Sequence, residues 1–441
     1  MAYIEGECRG QQMMFPPTLD ELVPADHVCR VIEAFVAKLK MDELGFVRAE
    51  PAETGRPGYD PRDLLKLHLY GYLHQVRSSR RLEAECRRNL EVMWLLGGLR
   101  PDYKSIAEFR RMHREAVSGA GAELVRLARQ VGLVRGEWVA IDGSKFRAVA
   151  SADAVREREA VKRYLDQLES ADEQDEVVID PSAVAAALQK LKQDAEPEAR
   201  LMRMAHDQFA PAYNVQTAVD AEHGIIVAQQ VTTEATDNRS LLPMAEAAKQ
   251  ALEAGTFNVV ADAGYSNGEH AERCEQQGIV PHAPANRARN NQGDGTLFDR
   301  SLFIYDETTD TFRCPANETL TRKQMQRDKK RVVYAADPAI CANCPLKSKC
   351  TKTRRRRINV HLYDAALKRM NARATAQAMR LRKCTVERPF ALLKYAIFGH
   401  PRLLLRGLAG AQAEISLATL AYNLKTMIHA MGAAKLAAAL A

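Results

Sequence analysis

The stretch Glu137-Trp138-Val139-Ala140-Ile141-Asp142-Gly143 decides which fold class this sequence predicts. Four apolar residues in a row that end at Asp-Gly are typical of a strand buried on both faces of a sheet. The preceding residues 60–131 have helical spacing, with Asp60 as an N-cap and a capping box at Ser105 to Glu108. The chain therefore changes at Glu137 from an all-helical unit to a mixed α/β unit.

Further elements beyond this strand follow the pattern of a mixed α/β domain. We predict strands at 213–219 and 225–232 joined as a hairpin, a helix at 241–254 capped by Thr236 or Asp237, a strand at 257–261, a helix at 267–277 and a strand at 279–281. A charge-rich helical segment, 151–206, interrupts this order as an insertion. Helices return from about residue 363 to 431.

Composition and charge limit the functions that this chain can have. Apolar residues make up 46% of the sequence, yet no run of eighteen apolar residues and no secretory leader pattern occurs, so neither a membrane nor a secretory role is expected. The net charge is +7, and residues 322–357 alone contribute +11, from thirteen Lys or Arg and two acids. Such a patch is typical of a surface that binds nucleic acid phosphates, although a solvated basic run is the alternative.

Four of the nine cysteines lie in or beside this basic patch. Cys314, Cys341, Cys344 and Cys350 supply one close pair and two single thiols, enough for a tetrahedral structural zinc site. The spacing is looser than two CxxC pairs, so free or redox-active thiols remain the alternative.

Three carboxylates have positions suited to metal binding. Asp142 and Asp262 each follow a short apolar strand and precede Gly or Ala-Gly, whose small side chains let a substrate approach. Glu387 and Lys394 are seven residues apart and are expected to share one helix face, with Pro389 either beginning or kinking that helix. Each acid alone is better explained as a turn cap or a surface charge.

Together these residues resemble the DDE transposases of bacterial insertion sequences. The resemblance is carried by Ile141-Asp142-Gly143-Ser144-Lys145, Tyr213-Asn214-Val215-Gln216-Thr217, Ala261-Asp262-Ala263-Gly264-Tyr265, the Glu387 to Lys394 spacing and Ala421-Tyr422-Asn423-Leu424-Lys425. It covers almost the whole chain and implies an RNase H-like mixed sheet of three antiparallel and two parallel strands flanked by helices. It further implies DNA cleavage and strand transfer with two Mg²⁺ or Mn²⁺ ions, held by Asp142, Asp262 and Glu387.

The resemblance also implies a domain organisation. The expected parts are a helical N-terminal DNA-binding domain at 1–134, the first part of the catalytic core at 135–300, a zinc-ribbon-like Cys-rich insertion at 301–360 and closing C-terminal helices at 361–441. In this family a Tyr and an Arg precede the glutamate by seven and four residues, where this chain has Arg380 and Lys383. Arg382 is the expected substitute.

DNA contacts are expected from basic residues in three regions. Lys394 is expected to contact phosphate near the scissile bond, and the other candidates are Arg80, Arg81, Arg110, Arg111, Arg354, Arg355, Arg356, Arg357, Arg382 and Lys383. Ordinary surface charge is an equal alternative for those in the helical unit.

The expected partners are transposon terminal inverted repeats and target DNA, bound by a homodimer because two transposon ends are cut together. Cytoplasmic, nucleoid-associated action is expected. Two rivals remain open at this point: a metal-dependent nuclease without strand transfer, and a non-catalytic DNA-binding protein derived from a transposase.

Overall fold

The structure is a computed structural model, and it describes residues 18–48, 58–172, 181–194, 196–204, 208–285, 297–327 and 330–441. In these ranges the helices are α1 Val28–Lys38, α2 Pro61–Leu73, α3 Ser79–Arg88, α4 Leu90–Leu95, α5 Tyr103–Met112, α6 Arg114–Gln130, α7 Ala152–Asp172, α8 Pro181–Gln193, α9 Leu241–Leu252, α10 Gly268–Gln276, α11 Pro338–Ala342, α12 Lys347–Cys350, α13 Asp364–Arg373, α14 Ala376–Ala391, α15 Gly407–Met431 and α16 Ala433–Leu440. The strands are β1 Trp138–Arg147, β2 Arg200–Arg203, β3 Phe209–Asp220, β4 Ile226–Thr232, β5 Phe257–Val260, β6 Ile279–His282, β7 Ile304–Asp306, β8 Thr311–Arg313, β9 Thr319–Gln326, β10 Arg331–Ala335 and β11 Arg357–His361.

The larger sheet is mixed and has the order β2-β3-β1-β5-β6, with β4 also paired to β3. Strands β1, β3 and β4 pair antiparallel, whereas β1, β5 and β6 run parallel to one another. Helix α9 connects β4 to β5, and α10 is the crossover that the parallel neighbours β5 and β6 require. The predicted mixed α/β class is confirmed, while β2 was not anticipated.

The first strand is longer than the sequence predicts, because it continues past Asp142 to Arg147. Its parallel pairing with β5 ends at Ala140, whereas its antiparallel pairing with β3 continues to Arg147. The prediction that Asp142 ends the strand was therefore wrong. The aspartate instead lies at the point where β1 loses its neighbour on one side, which leaves that edge open.

The two faces of β1 contact different layers, as the two-residue period of a strand requires. Val139 and Ile141 belong to the main hydrophobic cluster, whereas Ala140 packs with Val260 of β5 and Val386 of α14. Asp142 is two residues beyond Ala140, and Asp262 is two residues beyond Val260. Both aspartates therefore belong to the sheet face that α14 covers.

The N-terminal helices pack as one unit with the sheet. A single hydrophobic cluster includes residues of α1, α2 and α6 together with β1, β5 and α15. The side chain of Glu414 on α15 is fully buried and lies 3.1 Å from Nη1 of Arg77, next to α3. Although α15 is long and buried along most of its length, no helix in the described ranges combines the length and apolar character needed to cross a membrane.

The start of α5 corrects one local prediction. Asp102 is the N-cap, and its carboxylate accepts hydrogen bonds from the backbone N–H groups of Lys104 and Ser105. The expected capping box at Ser105 to Glu108 therefore lies inside the helix. Asp102 is the N-cap in place of Ser105 because its carboxylate accepts hydrogen bonds from two backbone N–H groups that have no partner within the helix.

The Cys-rich segment forms a separate antiparallel sheet with the order β11-β10-β9-β8-β7. Its own small core is composed of Phe303, Phe312, Leu320, Val332, Tyr334, Ala336 and Ile358. The short helices α11 and α12 lie between β10 and β11 and contain Cys341 and Cys350, while Cys344 lies between the two helices. The helices α7 and α8 occupy the region that the sequence assigns to a helical insertion.

Candidate active site

Asp142 and Asp262 converge on one cation, the guanidinium of Arg382. Nη2 of Arg382 on α14 lies 2.7 Å from Oδ1 of Asp142 and 3.5 Å from Oδ2 of Asp262. Because both contacts share one nitrogen, the two carboxylates face the same small volume above the sheet. The structure thus brings together two of the three predicted acids, and it adds a basic residue that the sequence assigned to DNA.

The electrostatics of this volume favour a bound cation. Burial raises the pKa of Asp142 to about 6, the charge of Arg382 opposes that rise, and the charge of Asp262 adds to it. Two carboxylates this close repel each other unless positive charge lies between them. The guanidinium of Arg382 supplies that charge here and occupies the position where a divalent ion would be attracted.

The donor set is suited to Mg²⁺ or Mn²⁺. Asp142 and Asp262 offer hard carboxylate oxygens, the ligands that these ions prefer, and few protein groups are needed because the ions keep water and substrate oxygens. The 3.5 Å contact and 46% side-chain exposure of Asp262 leave it open to further ligands. The residues present therefore fit a divalent ion.

A third carboxylate, Asp237, lies beside this pair and was missed as a site residue. The sequence suggested it as a helix cap, but α9 begins at Leu241 with Ser240 as its N-cap, and the Asp237 side chain points elsewhere. Its Oδ1 accepts hydrogen bonds from Nδ2 of Asn214 at 2.8 Å and Nε2 of Gln216 at 2.7 Å. The available signal was Asn214-Val215-Gln216, because two buried amides on one face of a strand require polar partners.

The glycines after the two aspartates make room for Asp237. A Cβ on Gly143 would lie 2.7 Å from Oδ1 of Asp237, and one on Gly264 would lie 3.7 Å from its Oδ2 and 2.9 Å from Oδ1 of Asp262. Asp237 therefore fits against both glycine-containing turns. The Asp-Gly and Asp-Ala-Gly motifs permit this close approach of three carboxylates.

Glu387 has a different environment from the two aspartates. Its side chain is 65% exposed and lies 4.0 Å from Nζ of Lys383, one turn away on α14. Arg382, which pairs with Asp142 and Asp262, has no ion pair with Glu387 among the described residues. Val386 faces the sheet, and the next residue along a helix is rotated by about 100° from it, toward solvent.

The prediction that Glu387 and Lys394 project together does not match the side-chain environments. Helix α14 continues through Pro389 to Ala391 and is followed by a π-helical turn at Leu392–Ile397, which changes the helical phase. Lys394 turns toward the sheet, with Nζ 5.7 Å from the centroid of the Phe146 ring. Burial lowers the pKa of Lys394 and the charge of Asp142 opposes that effect, so this lysine is a neighbour of Asp142.

The basic residues of the helical unit are not equivalent. Arg80 and Arg81 are exposed, and the guanidinium of Arg80 lies 5.3 Å from the centroid of the Tyr103 ring. Arg111 is exposed but paired with Glu108. Arg110 is only 5% exposed and donates hydrogen bonds to the carbonyl of Arg77 and to Oγ of Ser79. This burial leaves its guanidinium inaccessible to DNA, so Arg110 has a structural role in place of the predicted DNA contact.

The four consecutive arginines of the insertion, Arg354 to Arg357, also differ in exposure. Together with Pro338, Thr351 and Thr353 they line an open pocket of about 570 Å³. Arg356 is 2% exposed, donates hydrogen bonds to the carbonyls of Cys350 and Phe298, and stacks over Phe303. Its predicted DNA contact is therefore replaced by a structural role, whereas Arg354, Arg355 and Arg357 remain available to phosphates.

The four predicted zinc ligands lie near one another without forming a compact set. Burial raises the pKa of the Cys350 thiol, and the charges of Cys314, Cys341 and Cys344 act in the same direction, which requires all four to be neighbours. In the described ranges, however, no three of these thiols lie within 4.8 Å of one another. The cysteines predicted to form a zinc ribbon therefore lie in one region, but they do not form a compact set of ligands around one metal position.

A group with tighter spacing is His27, Cys29 and Glu91, whose candidate ligand atoms lie within 4.8 Å of one another. Nδ1 of His27 accepts a hydrogen bond from the backbone N–H of Cys29, so a neutral ring carries its proton on Nε2. Nε2 lies 3.4 Å from Glu91, to which it can donate. This arrangement is a helix cap and a hydrogen bond, not an open ligand set.

Comparison with known proteins gives two family matches. A family described as "Transposase DDE domain" matches residues 172–424, more than half of the chain, in a range that includes Asp262 and Glu387 but begins after Asp142. A second, described as "Transposase domain (DUF772)", matches residues 17–112 of the helical unit. No curated protein sequence matches this chain.

One solved structure is titled "Cryo-EM structure of piggyBac transposase synaptic complex with hairpin DNA (SNHP)". It aligns with a TM-score of 0.35 and 7% identity over 94% of this chain and 78% of that chain.

Proposed function

We propose, because this chain belongs to the DDE transposase family, that it cleaves DNA at transposon ends and joins the freed ends to target DNA. Family membership implies an enzyme of the nuclease and transesterase kind that acts on DNA with divalent metal ions. The observation that carries the site assignment is the shared contact of Asp142 and Asp262 with Nη2 of Arg382.

The core of the enzyme is, in this proposal, RNase H-like. The support is the strand order β4-β3-β1-β5-β6, in which the first three strands are antiparallel and the last two run parallel to β1. The metal site then lies on the sheet face under α14, at the end of the parallel pairing.

Asp142 and Asp262 would hold the metal ions. When bound, Mg²⁺ ions would stabilise the charge that develops on the attacking and leaving oxygens of a phosphodiester. Arg382 must leave the carboxylates for this to occur, and the backbone phosphates of DNA offer it an alternative partner.

Glu387 would complete the set from α14, as the family's third acid. Its exposure leaves the side chain free to change rotamer, and Lys383, its present partner, is itself 70% exposed. Exposed pairs of this kind are worth about 0–1 kcal/mol, so little opposes the change. Lys394, beside Asp142, would bind a phosphate oxygen near the bond that is cut.

In the reaction proposed, water attacks a phosphodiester at the transposon end, the bond to the 3′ oxygen breaks, and that oxygen leaves with a proton as a 3′-hydroxyl. The same hydroxyl then attacks a phosphodiester of target DNA, forming one new P–O bond as another breaks. The first step converts a phosphodiester into a 5′-phosphomonoester and a 3′-hydroxyl, and the second exchanges one phosphodiester for another and frees a 3′-hydroxyl of the target. Both are displacements at the phosphorus of a phosphodiester, so the same carboxylates and Lys394 serve both.

The DNA contacts would come from two surfaces. Arg354, Arg355 and Arg357, which line the open pocket with Thr351 and Thr353, would follow phosphates of one segment. Arg80, Arg81 and Arg111 would contact the terminal repeats, with Lys383 added near the site. We further propose a homodimer that holds two transposon ends, acting at the nucleoid in the cytoplasm.

The proposal includes a structural zinc ion on Cys314, Cys341, Cys344 and Cys350. The proximity of the four thiols supports it, and their spacing requires them to close around the ion. Metal analysis of purified protein, with Cys341→Ser as the comparison, tests it: one zinc per chain that the variant lacks is expected.

The function is tested by assaying the purified protein on DNA with its transposon ends. Mg²⁺-dependent cleavage that is lost in Asp142→Ala is expected, and its absence in the unaltered protein would favour a non-catalytic DNA-binding role. A pre-nicked end that supplies a 3′-hydroxyl then distinguishes the remaining rival, because a nuclease would not join that end to target DNA.

A further inference from the structure

We propose that Asp237 is a positioning residue of the metal site, whose Oδ2 holds a water molecule bound to the divalent ion beside Asp262. The inference rests on the proposed function, since it concerns the metal ions of the same site. It adds a fourth carboxylate to the three that the family's name describes.

One oxygen of Asp237 is fixed by buried groups. Asn214 and Gln216, both at most 1% exposed on β3, donate their side-chain amides to Oδ1. The orientation of Gln216 is itself determined, because its Oε1 accepts a hydrogen bond from the buried hydroxyl of Tyr265. The amide nitrogen must therefore point at Asp237.

The second oxygen is left available. In the part of the chain that the structure describes, no hydrogen bond is donated to Oδ2 of Asp237. This oxygen and Oδ1 of Asp262 lie 3.7 Å and 2.9 Å from one point, the position of a Cβ on Gly264. Oδ1 of Asp262 already accepts a hydrogen bond from the backbone N–H of Gly264 at 2.7 Å, so Oδ2 of Asp237 is the neighbouring oxygen that is left to bind water.

A cation lies beside the same aspartate. Nη2 of Arg382 contacts Oδ2 of Asp262 as well as Oδ1 of Asp142, whereas the oxygen of Asp262 nearest to Asp237 at the Gly264 position is Oδ1. Positive charge is thus attracted to Asp262, and Asp237, in the β4–α9 loop, adjoins that acid from another side. Because no ion pair joins Asp237 to Arg382 among the described residues, the proposal has a water molecule between Oδ2 and an ion held by Asp262.

The loop of Asp237 is held rigidly to the loop of Asp262. Nδ2 of Asn238 donates to the carbonyl of Ser266 at 3.0 Å, and Nδ2 of Asn267 donates to the carbonyl of Asn238 at 3.0 Å. These reciprocal bonds keep the two acidic turns at a constant separation. A positioning role needs such rigidity, whereas a helix cap at this position would not.

The test is Asp237→Asn, which replaces Oδ2 by an amide while Oδ1 still accepts from Asn214 and Gln216. Mn²⁺ binding to the DNA-free, full-length protein is measured by the electron paramagnetic resonance signal of free Mn²⁺. Loss of an outer-shell partner weakens metal affinity by about 10–100-fold, which is the effect expected. The melting temperature without metal reports whether the variant is folded.

Asp220→Asn is the control, because Asp220 is a buried aspartate at the end of β3, the strand that carries Asn214 and Gln216, and its carboxylate accepts from the backbone N–H groups of Gly136 and Glu222 outside the site. It should bind Mn²⁺ like the unaltered protein. Asp237→Ala is a second variant at the site and should show the same loss as Asp237→Asn.

The outcomes separate this inference from the function on which it rests. If Asp142→Ala abolishes Mn²⁺ binding while both Asp237 variants bind normally, Asp237 has no positioning role and the metal site stands. If the unaltered protein binds no Mn²⁺, the metal site and this inference fall together.

Discussion

Arg382 and Asp142 form the closest ion pair of the site, with Nη2 of the arginine 2.7 Å from Oδ1 of the aspartate. Both side chains are mostly buried, at 19% and 22% exposure, so the pair is more strongly coupled than a surface ion pair. A residue predicted to bind DNA thus serves as the counter-ion of the two acids that we propose hold the metal ions.

Replacing Arg382 by Gln should affect stability and metal binding in opposite directions. Without its guanidinium, Asp142 and Asp262 repel each other, and the metal-free protein should lose about 1–2 kcal/mol of unfolding free energy. Mn²⁺ no longer competes with the guanidinium, so its affinity should rise. Thermal unfolding with and without Mn²⁺ measures both effects, and a fall in affinity would contradict the counter-ion role.

Asp142→Asn should stabilise the metal-free protein in a pH-dependent way. The folded pKa of Asp142 is about 6, above the value of about 3.9 for an unfolded chain. Its contribution to stability is therefore fully present below pH 3.9 and is lost as the pH rises through 6. The variant avoids that loss and should exceed the unaltered protein by about 2–3 kcal/mol at pH 8, but not at pH 4.

Melting temperatures recorded in a metal chelator from pH 4 to pH 8 check this prediction. Glu387→Gln, at an exposed carboxylate, serves as the control and should leave the melting temperature unchanged. A stability difference between Asp142→Asn and the unaltered protein that is constant with pH would refute the assigned cause.

Arg77→Met should strongly destabilise the protein, because it leaves the buried Glu414 without its charged partner. Glu414 is fully buried and burial raises its pKa, although the backbone N–H groups of Leu404 and Leu405 also donate to it. Removing one partner of a buried ion pair costs about 3–5 kcal/mol. Chemical denaturation measures the loss.

Arg87→Met provides the comparison for Arg77→Met. Arg87 forms a 2.9 Å pair with Glu83 on α3 and is 63% exposed. A surface pair contributes at most about 1 kcal/mol, so its loss should barely change the denaturation midpoint. Equal effects of the two substitutions would show that burial of the Arg77 pair does not matter.

Arg354→Gln and Arg356→Gln should separate DNA binding from folding within one run of arginines. Arg354 is exposed in the pocket, so its loss should reduce the slope of log affinity against log salt by about 1 without lowering the melting temperature. Arg356 donates to two backbone carbonyls, so its loss should destabilise the small sheet by about 1–3 kcal/mol. Salt-dependent DNA binding and thermal unfolding distinguish them, and a melting temperature lowered more by Arg354→Gln would reverse the assignment.

Much of the core could be predicted from sequence because period and hydrophobicity are local signals. The start of the strand that contains Asp142 and both limits of the strand before Asp262 were located within a residue of their observed positions. The end of β1 was misjudged, because strand length is set by its pairing with β3, which lies about seventy residues away in sequence.

The composition of the site was harder to predict, since it depends on contacts between distant elements. Arg382 meets Asp142 only because α14 crosses β1, and Asp237 meets Gln216 only because β3 and the β4–α9 loop adjoin. The turn of Lys394 away from Glu387 follows from a π-helical turn that no simple seven-residue spacing anticipates. Burial likewise separates Arg110 and Arg356 from their exposed neighbours.

The buried pair of Arg77 and Glu414 affects the distance along DNA between a bound repeat and the bond that is cleaved. Because it joins the helical unit to α15 within one continuous core, the arginines of α3 sit at a constant distance from Asp142. A terminal repeat bound by α3 would lie at a fixed position relative to Asp142 and Asp262, because no hinge separates the DNA-binding helix from the cleavage site. The number of base pairs between the recognised sequence and the cleaved bond would therefore be set by how the helical unit packs against α15.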